Sequence, residues 1–185
     1  MYFNNVKRIF AIVLLLGSAG LANASNPAAM PVDEIPSPEL PGVCAINLQP
    51  RAGTEVYFRV YAIGVQIYRW TGTAWVFVAP SANLYADDGF HGLVGTHYAG
   101  PTWESNSGSK VVASRAGDCT PDTSAIPWLI LNKASTDGPG IFSEVTQIQR
   151  VNTTGGLIPT VPGTIVNQLA RVPYTAEYYF YRLED

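Results

Sequence analysis

The chain has 185 residues, of which 47% are hydrophobic and 14% are charged, and its formal net charge is −3. This apolar content is enough for the core of one folded domain and excludes a mainly disordered chain. Lys and Arg number 11 against 14 Asp and Glu. Because no basic excess is available to neutralise a phosphate backbone, nucleic-acid binding is not expected.

Residues 1–24 have the three parts of a secretory signal peptide. Lys7 and Arg8 supply positive charge, residues 9–16 are continuously apolar, and Ala22-Asn23-Ala24 gives the small-x-small pattern of a cleavage site. The apolar run is shorter than the ~20 residues that cross a bilayer. We therefore predict export to the periplasm or the medium after cleavage following Ala24, with no membrane span.

Residues 25–42 contain five prolines, which disfavour both a helix and a central strand. We predict an extended arm or linker there, followed by a β domain over residues 43–185. The chain has two cysteines, Cys44 and Cys119. Since a lone pair of cysteines in an oxidising compartment most often forms a disulfide, we predict a Cys44–Cys119 bridge.

Alternation of apolar and polar residues predicts strands from residue 56 onwards. Residues 56–62 and 65–70 are predicted as two strands interrupted at Gly64, and the strand over residues 74–79 as ending at Pro80. The remaining predicted strands are residues 93–99, 102–105, 110–114, 126–131, 141–151 and 174–182. The sole helix candidate is residues 165–170.

The last predicted strand has an apolar face and a wetter face. Its even positions from Tyr174 to Phe180 suit a core, whereas Glu177, Tyr179 and Tyr181 suit the wetter side. About eight to ten short strands with little or no helix indicate an all-β, single-domain fold. The pattern is compatible with an antiparallel sandwich and with a barrel, and does not separate the two.

Six segments resemble one family and occur in the family's order. They are GVQIY at 64–68, GTHYAGPTWE at 95–104, GSKVV at 108–112, IPWLIL at 126–131, IQRVNTTGG at 148–156 and VPYTAEYYFY at 172–181. The chain resembles the secreted bacterial and fungal family known as domain of unknown function 3455. This resemblance implies an exported single-domain protein and implies no activity. Members often have cysteines just after the Gln-Ile-Tyr strand and after the Gly-Gly-x-x-Pro segment; this chain has neither, so the family disulfide does not carry over.

The sequence contains no assembled catalytic motif. It has no Gly-x-Ser-x-Gly nucleophile elbow and no glycine-rich phosphate loop. His91 and His97 lie near Asp87, Asp88 and Glu104 in sequence, which leaves a metal or acid–base site near His97 and Glu104 as an alternative. We assign no metal and no cofactor, and the missing motifs favour a non-catalytic protein over an enzyme.

Aromatic residues are the strongest signal outside the core, because Trp and Tyr offer flat amphipathic surfaces for sugars or peptides. The candidate binding residues are His97, Trp103, Glu104, Arg150, Asn152, Glu177 and Tyr179. In the plainer interpretation the aromatic residues only fill a small core. Arg150 then forms a buried pair with Glu104 or Glu177.

Three hypotheses for the function follow. The leading one is an exported β domain that binds an unknown ligand, either a carbohydrate or a protein, or that serves as an envelope or surface component. The second is an enzyme of unknown class with the site near His97 and Glu104. The third is a β-barrel that carries a small apolar molecule, which requires an internal cavity.

Overall fold

The computed structural model describes residues 35–184, which form a short helix and eight strands. The helix is α1 (Gly42–Ala45). The strands are β1 (Thr54–Trp70), β2 (Trp75–Tyr85), β3 (Leu93–Tyr98), β4 (Thr102–Ser105), β5 (Lys110–Cys119), β6 (Trp128–Asp137), β7 (Gln147–Gly155) and β8 (Leu169–Leu183). Each strand pairs antiparallel with the next, and β8 pairs with β1, so the sheet closes into a barrel. The all-β prediction is confirmed, and the barrel alternative is the observed one. The predicted signal peptide and its cleavage site lie outside the described residues.

Strands β1 and β2 are longer than predicted because Gly64 and Pro80 do not interrupt them. Gly64 lies directly against β2, where a Cβ atom would overlap the Ser81 carbonyl oxygen, so glycine here permits a close approach of two strands. Pro80 pairs with Gln66 of β1. On its other side β2 pairs with β3 only from Ala82 onwards, so that edge of β2 needs no N–H from residue 80.

The barrel interior is filled at one end by aromatic side chains. Phe58 of β1 stacks on Phe180 of β8 with ring centroids 4.4 Å apart, and Phe142 packs against both rings. Phe142 and Val145 belong to turns between β6 and β7 and are buried in this core. The prediction of a strand from residue 141 is therefore wrong, because residues 141–146 close the end of the barrel instead.

A second buried layer covers the outside of β6, β7 and β8. The described residues before β1, 35–53, form the N-terminal segment. Its residues Cys44 and Leu48 pack against Trp128, Tyr179 and other residues of these strands. Cys44 is bonded to Cys119 at the end of β5, which confirms the predicted disulfide. The predicted wetter face of β8 is wrong for its tyrosines: Tyr179 is 4% exposed because this segment lies over it.

Buried polar groups fix the N-terminal segment to the barrel. Gln149 of β7 donates from Nε2 to the Leu48 carbonyl oxygen at 2.8 Å, and its Oε1 accepts from the Tyr181 hydroxyl at 2.7 Å. The Arg51 backbone N–H donates to Gln147 Oε1 at 2.7 Å. These bonds satisfy polar atoms that would be costly to bury alone, so the segment is part of the folded domain.

The predicted helix over residues 165–170 is wrong. Asn167 has a φ of 68°, a left-handed conformation that a helix does not continue through. The Asn167 backbone N–H donates to the Trp70 carbonyl oxygen at 2.8 Å, which ties this loop to the end of β1. Within residues 35–184, no helix is long and apolar enough to cross a membrane.

Candidate functional site

A cavity of about 340 Å³ lies inside the barrel, at the end that carries the β3–β4 turn. Its size falls within the range of sites for small molecules. Its apolar lining comes mainly from Phe77, Val78, Ala79, Pro101, Leu129 and Leu131. Phe77 and Val78 are 55% and 49% exposed, so the cavity opens to solvent beside β2.

The opening follows from strand pairing. β1 and β2 remain paired as far as Trp70 and Trp75, but β3 pairs with β2 only over Ala82–Tyr85. The first half of β2 therefore has a strand neighbour on one side only. Gly100 and Pro101 of the β3–β4 turn lie across this gap and line the cavity, so the gap gives access to the barrel interior.

His97 lines the cavity and is uncharged. Its ring stacks on Trp103, with centroids 4.2 Å apart and planes 17° apart. Its Nδ1 lies 2.9 Å from the Thr102 carbonyl oxygen. Because a carbonyl oxygen only accepts, Nδ1 carries the hydrogen and Nε2 is unprotonated. Burial is the main cause that lowers the pKa of His97 to about 3; the Thr102 hydrogen bond opposes it, and the Arg150 charge adds to it.

Arg150 brings a positive charge to the cavity. It lies on β7, opposite Leu129 of β6 and Tyr178 of β8, and its side chain lines the cavity. Its Nε and Nη2 donate to the Pro127 carbonyl oxygen at 3.1 and 2.7 Å. Among residues 35–184, no acidic side chain forms an ion pair with it. The guanidinium charge is therefore not neutralised by the described residues.

Three residues that line the cavity carry a buried polar atom without a hydrogen-bond partner in the described chain. These atoms are Gln66 Nε2, Trp103 Nε1 and the Tyr178 hydroxyl, and the hydroxyl of nearby Tyr174 is in the same state. Burial is the main cause that raises the pKa of Tyr178. The Arg150 charge and weak hydrogen bonding from Tyr174 and Arg150 oppose that rise, but neither contact has the distance and angle of a regular hydrogen bond. Such orphan groups are unusual in a native core and call for an explanation.

Glu104 does not share the site with His97. His97 pairs with Trp103 across β3 and β4, and both side chains point inward, so the adjacent Glu104 points outward. There it accepts a hydrogen bond from the Tyr98 hydroxyl at 2.6 Å and lies 3.5 Å from Lys110 Nζ. Hydrogen bonding from Tyr98 is the main cause that lowers the pKa of Glu104. The structure therefore does not assemble the predicted acid–base pair.

Glu177, Tyr179 and Asn152 form a separate network on the outer surface of the barrel. Asn152 Nδ2 donates to Glu177 Oε1 at 3.0 Å, and the Tyr179 hydroxyl donates to Glu177 Oε2 at 3.2 Å. Arg59 Nη1 donates to the Tyr179 hydroxyl at 3.1 Å. Because Glu104 and Glu177 have these other partners, the predicted pairing of Arg150 with either one is wrong.

Residues 50–182 match the family described as "Protein of unknown function (DUF3455)". The chain belongs to this family. The match confirms the resemblance found in the sequence. No curated protein and no solved structure matches the chain, so a function for this DUF3455 domain has to be argued from its site.

The cavity of this DUF3455 domain unites three of the predicted site residues, His97, Trp103 and Arg150. Gln66 is not among the residues predicted from the sequence, and Tyr178 is predicted there as a core residue. An amide on the apolar face of a strand, between Gly64 and Tyr68, was the available signal for Gln66. In the described part of the chain, no group of three or more His, Cys, Asp or Glu side chains is close enough to hold a metal ion.

Proposed function

We propose that the protein binds a small, largely apolar molecule inside the barrel, and that it does so without catalysing a reaction. The observation that carries this proposal is the open cavity of about 340 Å³, with its apolar lining and its unpartnered polar atoms. Native interiors are normally close-packed and their polar groups satisfied. At roughly 30 Å³ per non-hydrogen atom, the cavity would hold a ligand of about ten such atoms.

The chemistry of the lining supports the non-catalytic part of the proposal. The residues that the structure places around the cavity include no carboxylate, thiol, serine or lysine. His97 is neutral and its Nδ1 hydrogen is held by Thr102. Its unprotonated Nε2 can accept a proton, but the described lining offers it no carboxylate to orient the ring and no serine or thiol to activate.

We also propose that the chain is exported after cleavage following Ala24. The Cys44–Cys119 disulfide supports this, since such bonds form and persist in oxidising compartments. The exported protein should begin at Ser25, which N-terminal sequencing would test. A first residue upstream of Ala24 would contradict the proposed cleavage.

Ligand binding can be tested on the purified protein with octanol, octanamide, octanoate and phenylpropionate, which are of about the right size. A ligand at a hundred times its Kd adds about 2.7 kcal/mol to stability, a rise in Tm of roughly 5 to 10 °C. Calorimetric titration should give one site per chain.

Two matched variants locate the site. Leu129→Trp should fill the cavity and abolish binding, because Leu129 lines it. Leu169→Trp makes the same change at a leucine that is 53% exposed and outside the cavity lining, and should leave binding intact. The proposal fails if no probe stabilises the wild-type protein, or if both variants bind equally well.

A further inference from the structure

Arg150 is the one charged side chain among the described residues that line the cavity. Two of its N–H groups are taken by the Pro127 carbonyl oxygen. Among residues 35–184 its Nη1 amino group forms no regular hydrogen bond, and the Arg150 contact with the Tyr178 hydroxyl is only a weak one. A guanidinium holds its N–H groups in a planar fork that matches the two oxygens of a carboxylate.

The polar atoms around Arg150 are mostly hydrogen-bond donors. Gln66 Nε2 and Trp103 Nε1 can only donate, and the Tyr178 hydroxyl can donate as well. None of these atoms has an acceptor within the described chain. His97 adds no charge, since it is neutral. The cavity thus combines one unneutralised cation with three donor groups that have no regular hydrogen bond, against the acceptor His97 Nε2.

We propose that the ligand carries a carboxylate head group, which binds Arg150 while the apolar body occupies the space beside Phe77, Leu129 and Leu131. This inference rests on the proposed ligand-binding function and names the chemical class that the same site takes. The Gln66 and Trp103 donors are covered in the unliganded chain, so their side chains must move to reach the carboxylate. The apolar lining excludes a ligand that is charged throughout.

The test compares octanoate with octanamide, which have the same length and nearly the same shape but differ in charge and in donors. The unmodified protein should bind octanoate at least about tenfold more tightly, since hydrogen bonds to charged groups contribute more than neutral ones. Arg150→Gln should weaken octanoate about ten- to hundredfold and leave octanamide nearly unchanged. Arg171→Gln, at an exposed arginine outside the lining, is the matched control and should change neither affinity.

A second variant keeps the inference falsifiable if Arg150→Gln does not fold. Gln66→Leu removes one orphan donor, and we expect a several-fold weaker affinity for octanoate together with an unchanged affinity for octanamide. Equal binding of octanoate and octanamide by the unmodified protein would overturn the carboxylate inference and leave the proposed cavity function standing. If none of the probes binds, both the proposed cavity function and the carboxylate inference are wrong.

Discussion

The Tyr178 hydroxyl is buried without a hydrogen-bond partner in the described chain, so Tyr178→Phe should stabilise the unliganded protein. The substitution keeps the ring, which packs edge-on against His97 and Trp103 with centroids 5.2 and 5.4 Å away. It removes only the unpaired polar atom. Leaving such an atom unsatisfied costs about 1–3 kcal/mol, and the free energy of unfolding should rise by a similar amount. At roughly 2–4 °C per kcal/mol, the increase in Tm is readily measured.

Tyr181→Phe is the matched control, because it makes the same chemical change on the same strand. The Tyr181 hydroxyl is also buried, but it donates to Gln149 Oε1 at 2.7 Å. Removing it leaves that oxygen buried without a donor, so the variant should lose about 1–3 kcal/mol. The two substitutions are therefore expected to change stability in opposite directions.

The assay is urea and thermal unfolding of the unmodified protein and both variants, without ligand and under one set of conditions. If Tyr178→Phe loses as much stability as Tyr181→Phe, the Tyr178 hydroxyl has a partner in solution. Tyr174 and Arg150 are the polar groups that perturb its pKa, so either would be that partner. The polar groups at this end of the barrel would then satisfy one another, and the unliganded cavity would not need a ligand to supply their hydrogen bonds.

Acid should destabilise the protein through His97. Between pH 6.5 and about 3, the unfolded chain binds a proton at His97 that the folded chain does not bind. Lowering the pH from 7 to 5 should therefore reduce the free energy of unfolding by about 2 kcal/mol. His97→Asn should lose most of this pH dependence in denaturant unfolding, whereas His91→Asn, at an exposed histidine, should keep it. The Cys44→Ala, Cys119→Ala double variant should lose about 4 kcal/mol, because the bridge spans 75 residues; an unchanged urea midpoint would contradict this.

Sequence patterns predicted the strands well where side-chain alternation decides the structure and poorly where a long-range contact decides it. Closure of the barrel depends on the pairing of β1 with β8, in which Thr54 lies opposite Leu183. No local pattern contains that information, so the sequence is equally compatible with a sandwich and with a barrel. The prediction that Gly64 and Pro80 interrupt strands is wrong, because whether a strand accepts glycine or proline depends on which strand lies beside it.

The candidate site was predicted in part, since sequence proximity does not show which face of a strand a side chain occupies. Glu104 follows Trp103 directly and therefore points away from it. Asn152 stands two positions after Arg150 and would share its face in a regular strand. A register shift between Val151 and Thr154 breaks that alternation, and Asn152 lies on the outer surface.

The two ends of the barrel interior differ, which shows that the fold does not require an open cavity with unpaired polar groups. One end is closed by Phe58, Phe142 and Phe180, whose rings pack within 5.5 Å of one another. The same chain can therefore pack the barrel interior with aromatic rings. The other end keeps an open space with an unneutralised arginine and orphan polar atoms, each of which costs stability while the cavity is unliganded. Natural proteins concentrate such local costs at functional sites. A bound carboxylate would neutralise Arg150 and accept hydrogen bonds from the nearby donors. Both the unpaired charge and the unpaired donors at this end would then be explained by one ligand.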